Sequence, residues 1–176
     1  MYPIQYSDPP WDYDNRVQHG GGKASYTSGA KSFYPTMKPA ELQELAPMVK
    51  GWTPQDAIHF MWTTGPQLDV AIATLEAWGF KFKTMAFVWD KCRVNPGAYT
   101  MSQTEFVIVG TRGAIPKPRG ARNVRQLVTE PRTIHSRKPD VVRARIDEMF
   151  PDPDHARVEM FAREKVDGWD AWGDGV

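Results

Sequence analysis

YPIQYSDPPW, residues 2 to 11, sets a short run of strand character directly before an acid, two prolines and a tryptophan. Each proline fixes φ near roughly −65° and donates no hydrogen bond, and a residue before proline is pushed toward extended backbone. Residues 8 to 10 are therefore stiff, with carbonyls free to accept. Asp8 adds a carboxylate to those acceptors, and Trp11 adds a flat ring. Acceptors beside an aromatic plane suit an exocyclic amino group on a heteroaromatic base, of which adenine N6 is an example. Hydrogen bonds from its two N–H groups would pull that nitrogen toward sp³ geometry and make it a better nucleophile.

Outward from this turn, apolar runs fit strands at 2–6, 58–62, 84–89, 104–110 and 157–161, and helical patterns fit 39–49, 66–78 and 138–149. In the second helix Leu68, Ile72, Leu75 and either Ala71 or Trp78 share a face, and Gly79 is a stop signal. Strands and helices taking turns predict an α/β fold, a mostly parallel sheet with helices on both faces. Ligands of such folds bind at the carboxyl ends of the strands, where Asp8 lies.

The 176 residues, 41% apolar and 24% charged, suit one domain spanning 1–176. There is no apolar stretch of membrane-spanning length and no signal-peptide pattern at the N-terminus, so the expectation is a cytoplasmic chain without a membrane partner. A single cysteine, Cys92, excludes an internal disulfide and reads as a small buried apolar residue. Four scattered histidines offer no metal spacing, and no metal is expected. HGGGKAS (19–25) lacks the first glycine and the following hydroxyl of a phosphate loop and reads as a lid. No Ser/His nucleophile motif is recognisable.

Charge is segregated. Residues 81–145 hold 14 Lys and Arg against four acids, or +10, while the remainder carries −9. The stretch RGAIPKPRGARNVR (112–125) contains Arg112, Lys117, Arg119, Arg122 and Arg125 with no acid, in a Pro/Gly-rich loop suited to phosphates. Lys91 and the loops at 12–32 and 91–101 complete the expected nucleic-acid surface.

The chain resembles the MT-A70 family of S-adenosylmethionine-dependent adenine N6-methyltransferases, whose signature is the DPPW of residues 8–11. Further blocks follow in family order: FYPTMKPAEL (33–42), IHFMWTT through LEAWGF (58–80), MAFVWDK (85–91), RTIHSRKPDVV (132–142) and VEMFAREKVDGWDAWGD (158–174). The resemblance implies a Rossmann-like class I methyltransferase fold with circularly permuted motif order. It implies Asp8, Pro9, Pro10 and Trp11 as the catalytic tetrad, with Trp11 and Tyr34 holding the extruded base. Its cofactor would be S-adenosylmethionine, held by Asp8, Ser136, Lys138, Glu159, Phe161, Arg163 and Asp174. Asp174 stands where many members have Asn and loses an amide donor; Met160 replaces a Leu. The expected reaction is direct methyl transfer to adenine in DNA, with RNA the alternative substrate and a catalytically silent nucleic-acid-binding subunit a different class. A homodimer is compatible with this reading.

Overall fold

A computed structural model describes residues 1–13, 35–97, 99–133, 137–173 and 176. Its seven strands are β1 (Ile4–Ser7), β2 (Ala57–Thr63), β3 (Lys81–Asn95), β4 (Ser102–Arg112), β5 (Leu127–Thr129), β6 (Arg157–Met160) and β7 (Asp170–Trp172). Four helices accompany them: α1 (Pro39–Glu44), α2 (Ala46–Trp52), α3 (Leu68–Ala77) and α4 (Asp140–Met149). The sheet order is β5-β3-β4-β2-β1-β6-β7.

All neighbours pair in parallel except β4, which runs antiparallel to both β3 and β2. The reason is local: only residues 96–101 separate β3 from β4, too few for the crossover that parallel strands need. The predicted strands are therefore all present, in a sheet that is mixed yet mostly parallel. β5 and β7, three residues each, carry no run long enough to signal a strand in sequence.

Alternation along β2 sorts the core into two layers. Ile58, Phe60 and Trp62 face a cluster with Ile4, Tyr6, Phe87 and the α4 residues Val142 and Ile146. Ala57 and Met61 face the other way, against Leu42, Val49, Ala71, Leu75 and Trp78 of the α1–α3 side. Helices thus cover both faces. The predicted helix 39–49 is split at Leu45 because Pro47, at the start of α2, has no N–H to continue the ladder. In α3 the buried stripe is Ala71, Thr74 and Leu75, continued by Trp78, while Leu68 and Ile72 are partly exposed. Gly79 stops the helix in the left-handed region at φ 94°.

Pairing also fixes direction. Ile4 lies level with Ile58 and Arg157, and Ala57 with Arg112, so these mark the amino end of the parallel strands. Tyr6 lies level with Glu159, which makes the first and last motif-bearing strands central neighbours. Asp8 follows β1 at the carboxyl end. Among the described residues no helix is long and apolar enough to cross a membrane.

Candidate active site

The turn after β1 is held by backbone bonds on both sides. Asp8 N–H donates to Met160 O at 3.4 Å, and Trp11 N–H reaches back to Pro9 O at 2.9 Å. Met37 N–H donates to Pro10 O at 2.8 Å and Asp12 N–H to Met37 O at 3.1 Å, forming a bridge beside Trp11. This corrects the expectation of free carbonyls: Pro9 and Pro10 each already accept one amide and keep one lone pair. Trp11 is buried as well. Its ring is 6% exposed within the α1–α3 apolar cluster, and its indole N–H donates to Trp62 O at 3.1 Å. In this structure it anchors the turn more than it offers a free face.

Beyond the turn, Lys138 from the segment before α4 places Nζ 3.0 Å from Asp8 and 3.3 Å from Glu105 on β4. Glu105 also takes Lys91 Nζ at 3.3 Å. The result is an alternating chain, Lys91–Glu105–Lys138–Asp8, mostly removed from water. Burial pushes the Asp8 carboxyl above the usual range, with Lys138 opposing and the Glu105 charge reinforcing. Burial also works to raise Glu105, but Lys138 and Lys91 outweigh it and hold that carboxyl low. Glu105, with two lysines, is thus a firm carboxylate, while Asp8, which shares only Lys138 of the two, takes a proton more readily.

The cleft continues along β6. Glu159 is raised by burial and lies 3.1 Å from Arg143 Nε, an ion pair without hydrogen-bond alignment. Phe161, just past the strand, sits at φ 61°, a left-handed conformation unusual for a bulky residue, braced edge-on against Trp172 at 5.3 Å. Asp8, Lys138, Glu159, Phe161 and Arg163 line this one cleft, with Tyr6 at its floor. Three stretches far apart in sequence, at Asp8, Lys138 and 159–163, are brought together. A second cavity of about 260 Å³ adjoins it, sharing Arg137, Lys138 and Asp140 and walled by Trp89, Glu130 and Pro131.

These residues fit S-adenosylmethionine by donor chemistry. A loosely aligned carboxylate, Glu159, can accept sugar hydroxyls; cationic Lys138 can meet an amino acid's carboxylate; and the aromatic Phe161 lines the same cleft. Ser136, Asp174 and Tyr34 lie outside the described residues.

The expected nucleic-acid residues are not gathered here. Lys91 is buried and paired, which corrects its placement on the surface. The basic loop starts at the amino end, opposite Asp8. There Arg112 donates to Lys50 O at 3.4 Å and Thr53 O at 3.2 Å, and Arg119 covers the Phe150 ring at 5.4 Å. Gly120 lies so close to α4 that a Cβ would come 2.4 Å from Glu148 O. Lys117, Arg122 and Arg125 are exposed. Cys92, expected buried, is exposed at a bulge of β3, with φ 52°. Sequence reading missed Glu105 and Arg143. The lone acid of TEFVIVG, at the mouth of an apolar strand, was the available signal for Glu105.

A mostly parallel α/β sheet with an acid–proline–proline–tryptophan turn and a charged cleft at its carboxyl end defines a Rossmann-like methyltransferase. The chain belongs to the MT-A70 family, whose model matches residues 4–175. It is 50% identical over 182 residues to the Type II methyltransferase M.MunI of Mycoplasma sp, covering 98% of this chain and 76% of that protein. It is 26% identical over 173 residues to the N(6)-adenosine-methyltransferase MT-A70-like protein of Arabidopsis thaliana, and equally so to a putative one of Medicago truncatula. These plant matches cover 92% of this chain but only 22% and 24% of the plant proteins.

Proposed function

We propose that the chain transfers a methyl group from S-adenosylmethionine to N6 of adenine in DNA, acting as a single domain. The observation that carries this reading is the alternating chain ending at Asp8, set in one cleft with Glu159, Phe161 and Arg163. Adenine as acceptor is supported by the plant relatives' names. DNA is favoured because the type II methyltransferase shares about twice the identity of the plant proteins, whose names specify adenosine, a ribonucleoside.

The cofactor supplies an electrophilic methyl group; the chain supplies position and charge. Asp8 accepts one N6–H, and the remaining lone pair of the Pro9 carbonyl accepts the other, which aligns the amine lone pair. Acceptors placed where positive charge develops on N6 favour the transition state over the ground state. Lys138 opposes the rise that burial gives the Asp8 pKa, favouring the carboxylate. Glu159 exchanges its Arg143 contact for sugar hydroxyls, Phe161 and Arg163 close the side of the cleft, and Ser136 and Asp174 complete it. Trp11 fixes the turn and, with Tyr34, borders the base once it has left its stack, a step costing a few kcal/mol from a duplex.

Incubation with S-adenosylmethionine tritiated on the methyl group and either DNA or RNA, then digestion to nucleosides, tests this. Label in N6-methyldeoxyadenosine is expected. Label confined to RNA would replace the substrate, and no label in any adenine would refute the reading.

A further inference from the structure

Beyond Asp90, β3 and β4 leave the sheet together as an arm. Val107 is level with Trp62, and hence with the residue that follows Ser7; Ser102 lies five residues further along β4. At about 3.3 Å per residue the tip stands roughly 16 Å beyond Asp8, and β4 is two strand spacings, about 10 Å, to one side. The arm therefore extends past the carboxyl end of the sheet, on the side of Asp8 away from the β6 residues of the cleft.

Its chemistry is unlike the rest of the surface. Val94, Tyr99 and Met101 are exposed, with Tyr99 fully so, although large apolar side chains are otherwise mostly covered. Between Cys92 and Met101 there is no acid, and Arg93 is an exposed cation. Such a tip repels a basic partner and attracts a polyanion with flat, stackable faces.

The arm is also aimed rather than loose at its base. The register shifts between Asp90 and Asn95, and Cys92 adopts a left-handed φ there. Asp90 staples this bulge, accepting Cys92 N–H at 2.8 Å and Gln103 Nε2 at 2.6 Å. Bulges beside active sites re-aim the strands that carry them. One residue below, Lys91 joins Glu105 and so the chain that ends at Asp8. The arm and the reacting carboxylate thus share one rigid foundation.

We propose that this arm is a wedge for duplex nucleic acid: Tyr99, backed by Met101, enters the base stack beside the target adenine and holds the gap as the base leaves. The inference rests on the nucleic-acid reading above. Apolar and aromatic wedges between base steps offset the cost of unstacking, and a ring replaces lost stacking whatever the neighbouring base. Arg93 meets the flanking phosphates.

The test compares three substrates: the DNA duplex that the wild-type chain methylates, the same duplex with an abasic position opposite the target adenine, and the single strand. With Tyr99→Ala/Met101→Ser, kcat/KM on the paired duplex should fall at least tenfold, and on the other two less than threefold, because their adenine is already released. Tyr99→Phe should restore the paired-duplex rate. Equal losses on all three, or none on any, would overturn the wedge. So would a wild-type dimer in sedimentation that the double variant splits without a duplex-specific loss, since the tip would then be covered by a second copy. If the wild-type chain methylates no adenine at all, the reading of the site fails and takes the wedge with it; if it does and the substrate pattern is absent, the wedge alone fails.

Discussion

At the amino end of the parallel strands, Arg112 and Arg157 put their guanidinium groups on backbone carbonyls and Arg119 lies over a ring. At the carboxyl end, Lys91, Lys138 and Arg143 put their charged groups on carboxylates. A carbonyl at the end of an element has no other partner, so a cation that satisfies it is committed to the fold. A carboxylate with spare lone pairs can exchange one partner for another. Cations of the first kind hold the structure, and those of the second kind hold a site whose occupants change.

The comparison is broken most directly at Asp8. Asp8→Ala should remove more than nine-tenths of methyl transfer, and we expect a loss beyond a hundredfold, about 2.7 kcal/mol of barrier. Cofactor affinity should stay within a few fold. Turnover above a tenth of wild type would show that the acid is not what orients the amine.

Arg157→Met is the counterpart at the other end. The guanidinium, 9% exposed, donates to Phe150 O and Asp152 O (3.0 Å) and His155 O (3.0 Å) and lies 3.2 Å from Asp147. Its loss strands three carbonyls and a partly buried acid, at about 3 kcal/mol of unfolding free energy. Urea titration should show that loss, with cofactor affinity in the folded variant unchanged. A stable variant with weakened cofactor binding would invert the two ends.

Between the ends lies a neutral polar chain. Ser7 O–H meets His59 Nε2 at 2.8 Å, and His59 Nδ1 meets Gln5 Oε1 at 3.2 Å; Gln5 Nε2 then donates to Thr53 Oγ1 at 2.8 Å. Burial lowers the His59 pKa from 6.5 to about 3. The folded state therefore binds fewer protons than the unfolded one below pH 6.5, and stability falls as pH falls through that window. At about 1.4 kcal/mol per pH unit, roughly 2 to 3 kcal/mol should go between pH 6.5 and 4.5. Glu105, held low, acts in the same direction only below about 4.5; Asp8 and Glu159, raised, act against it. His59→Gln should flatten the slope. An unchanged slope would place the protonation elsewhere.

Smaller effects are expected for cations and acids that the cofactor would address. Lys138→Ala and Glu159→Ala should each weaken S-adenosylmethionine binding by about 1.5 to 3 kcal/mol in calorimetry, the range for hydrogen bonds to charged groups. Lys138→Ala should also move the acid limb of the rate profile to higher pH, because Asp8 and Glu105 would then face each other without their shared cation. Unchanged affinity in both variants would take them out of the cofactor site.

The sequence made the site legible where chemistry is written in contiguous letters. The DPPW turn, Lys138 of RKPD and the Glu159–Arg163 block each declare stiff backbone or a charge at a strand end, and one cleft receives them. What stayed hidden depends on distant pairing. Lys91 and Glu105 are 14 residues apart and meet only because β3 and β4 form a hairpin, which the short connection implied but periodicity did not show. β5 and β7 were invisible because three residues carry no period. Charge density alone does not sort such a loop: Arg112 and Arg119 lie on carbonyls and a ring, while Lys117, Arg122 and Arg125 are exposed.

The basic loop gives the last and smallest effect. Its exposed cation Lys117 lies at the end opposite Asp8, and Gly120 ties the loop to α4 through its N–H to Met149 O at 2.9 Å; the loop then returns along the sheet edge, so that Leu127, two residues past the exposed Arg125, is level with Val88, Phe106 and Thr63. β5, which the loop enters, is the edge strand four spacings, roughly 19 Å, from β1, so a nucleic acid engaged at Asp8 lies well to one side of these side chains. Each phosphate contact adds roughly 0.9 to the slope of log affinity against log salt on duplex DNA, and exposed charges beyond about 10 Å are screened at 0.1 M salt. Arg122→Ala/Arg125→Ala should therefore change that slope by less than one contact's worth, about 0.9, and leave turnover untouched. A fall of roughly two units would mean that the polyanion reaches across the sheet to its β5 edge, and that the cations of the loop serve binding as well.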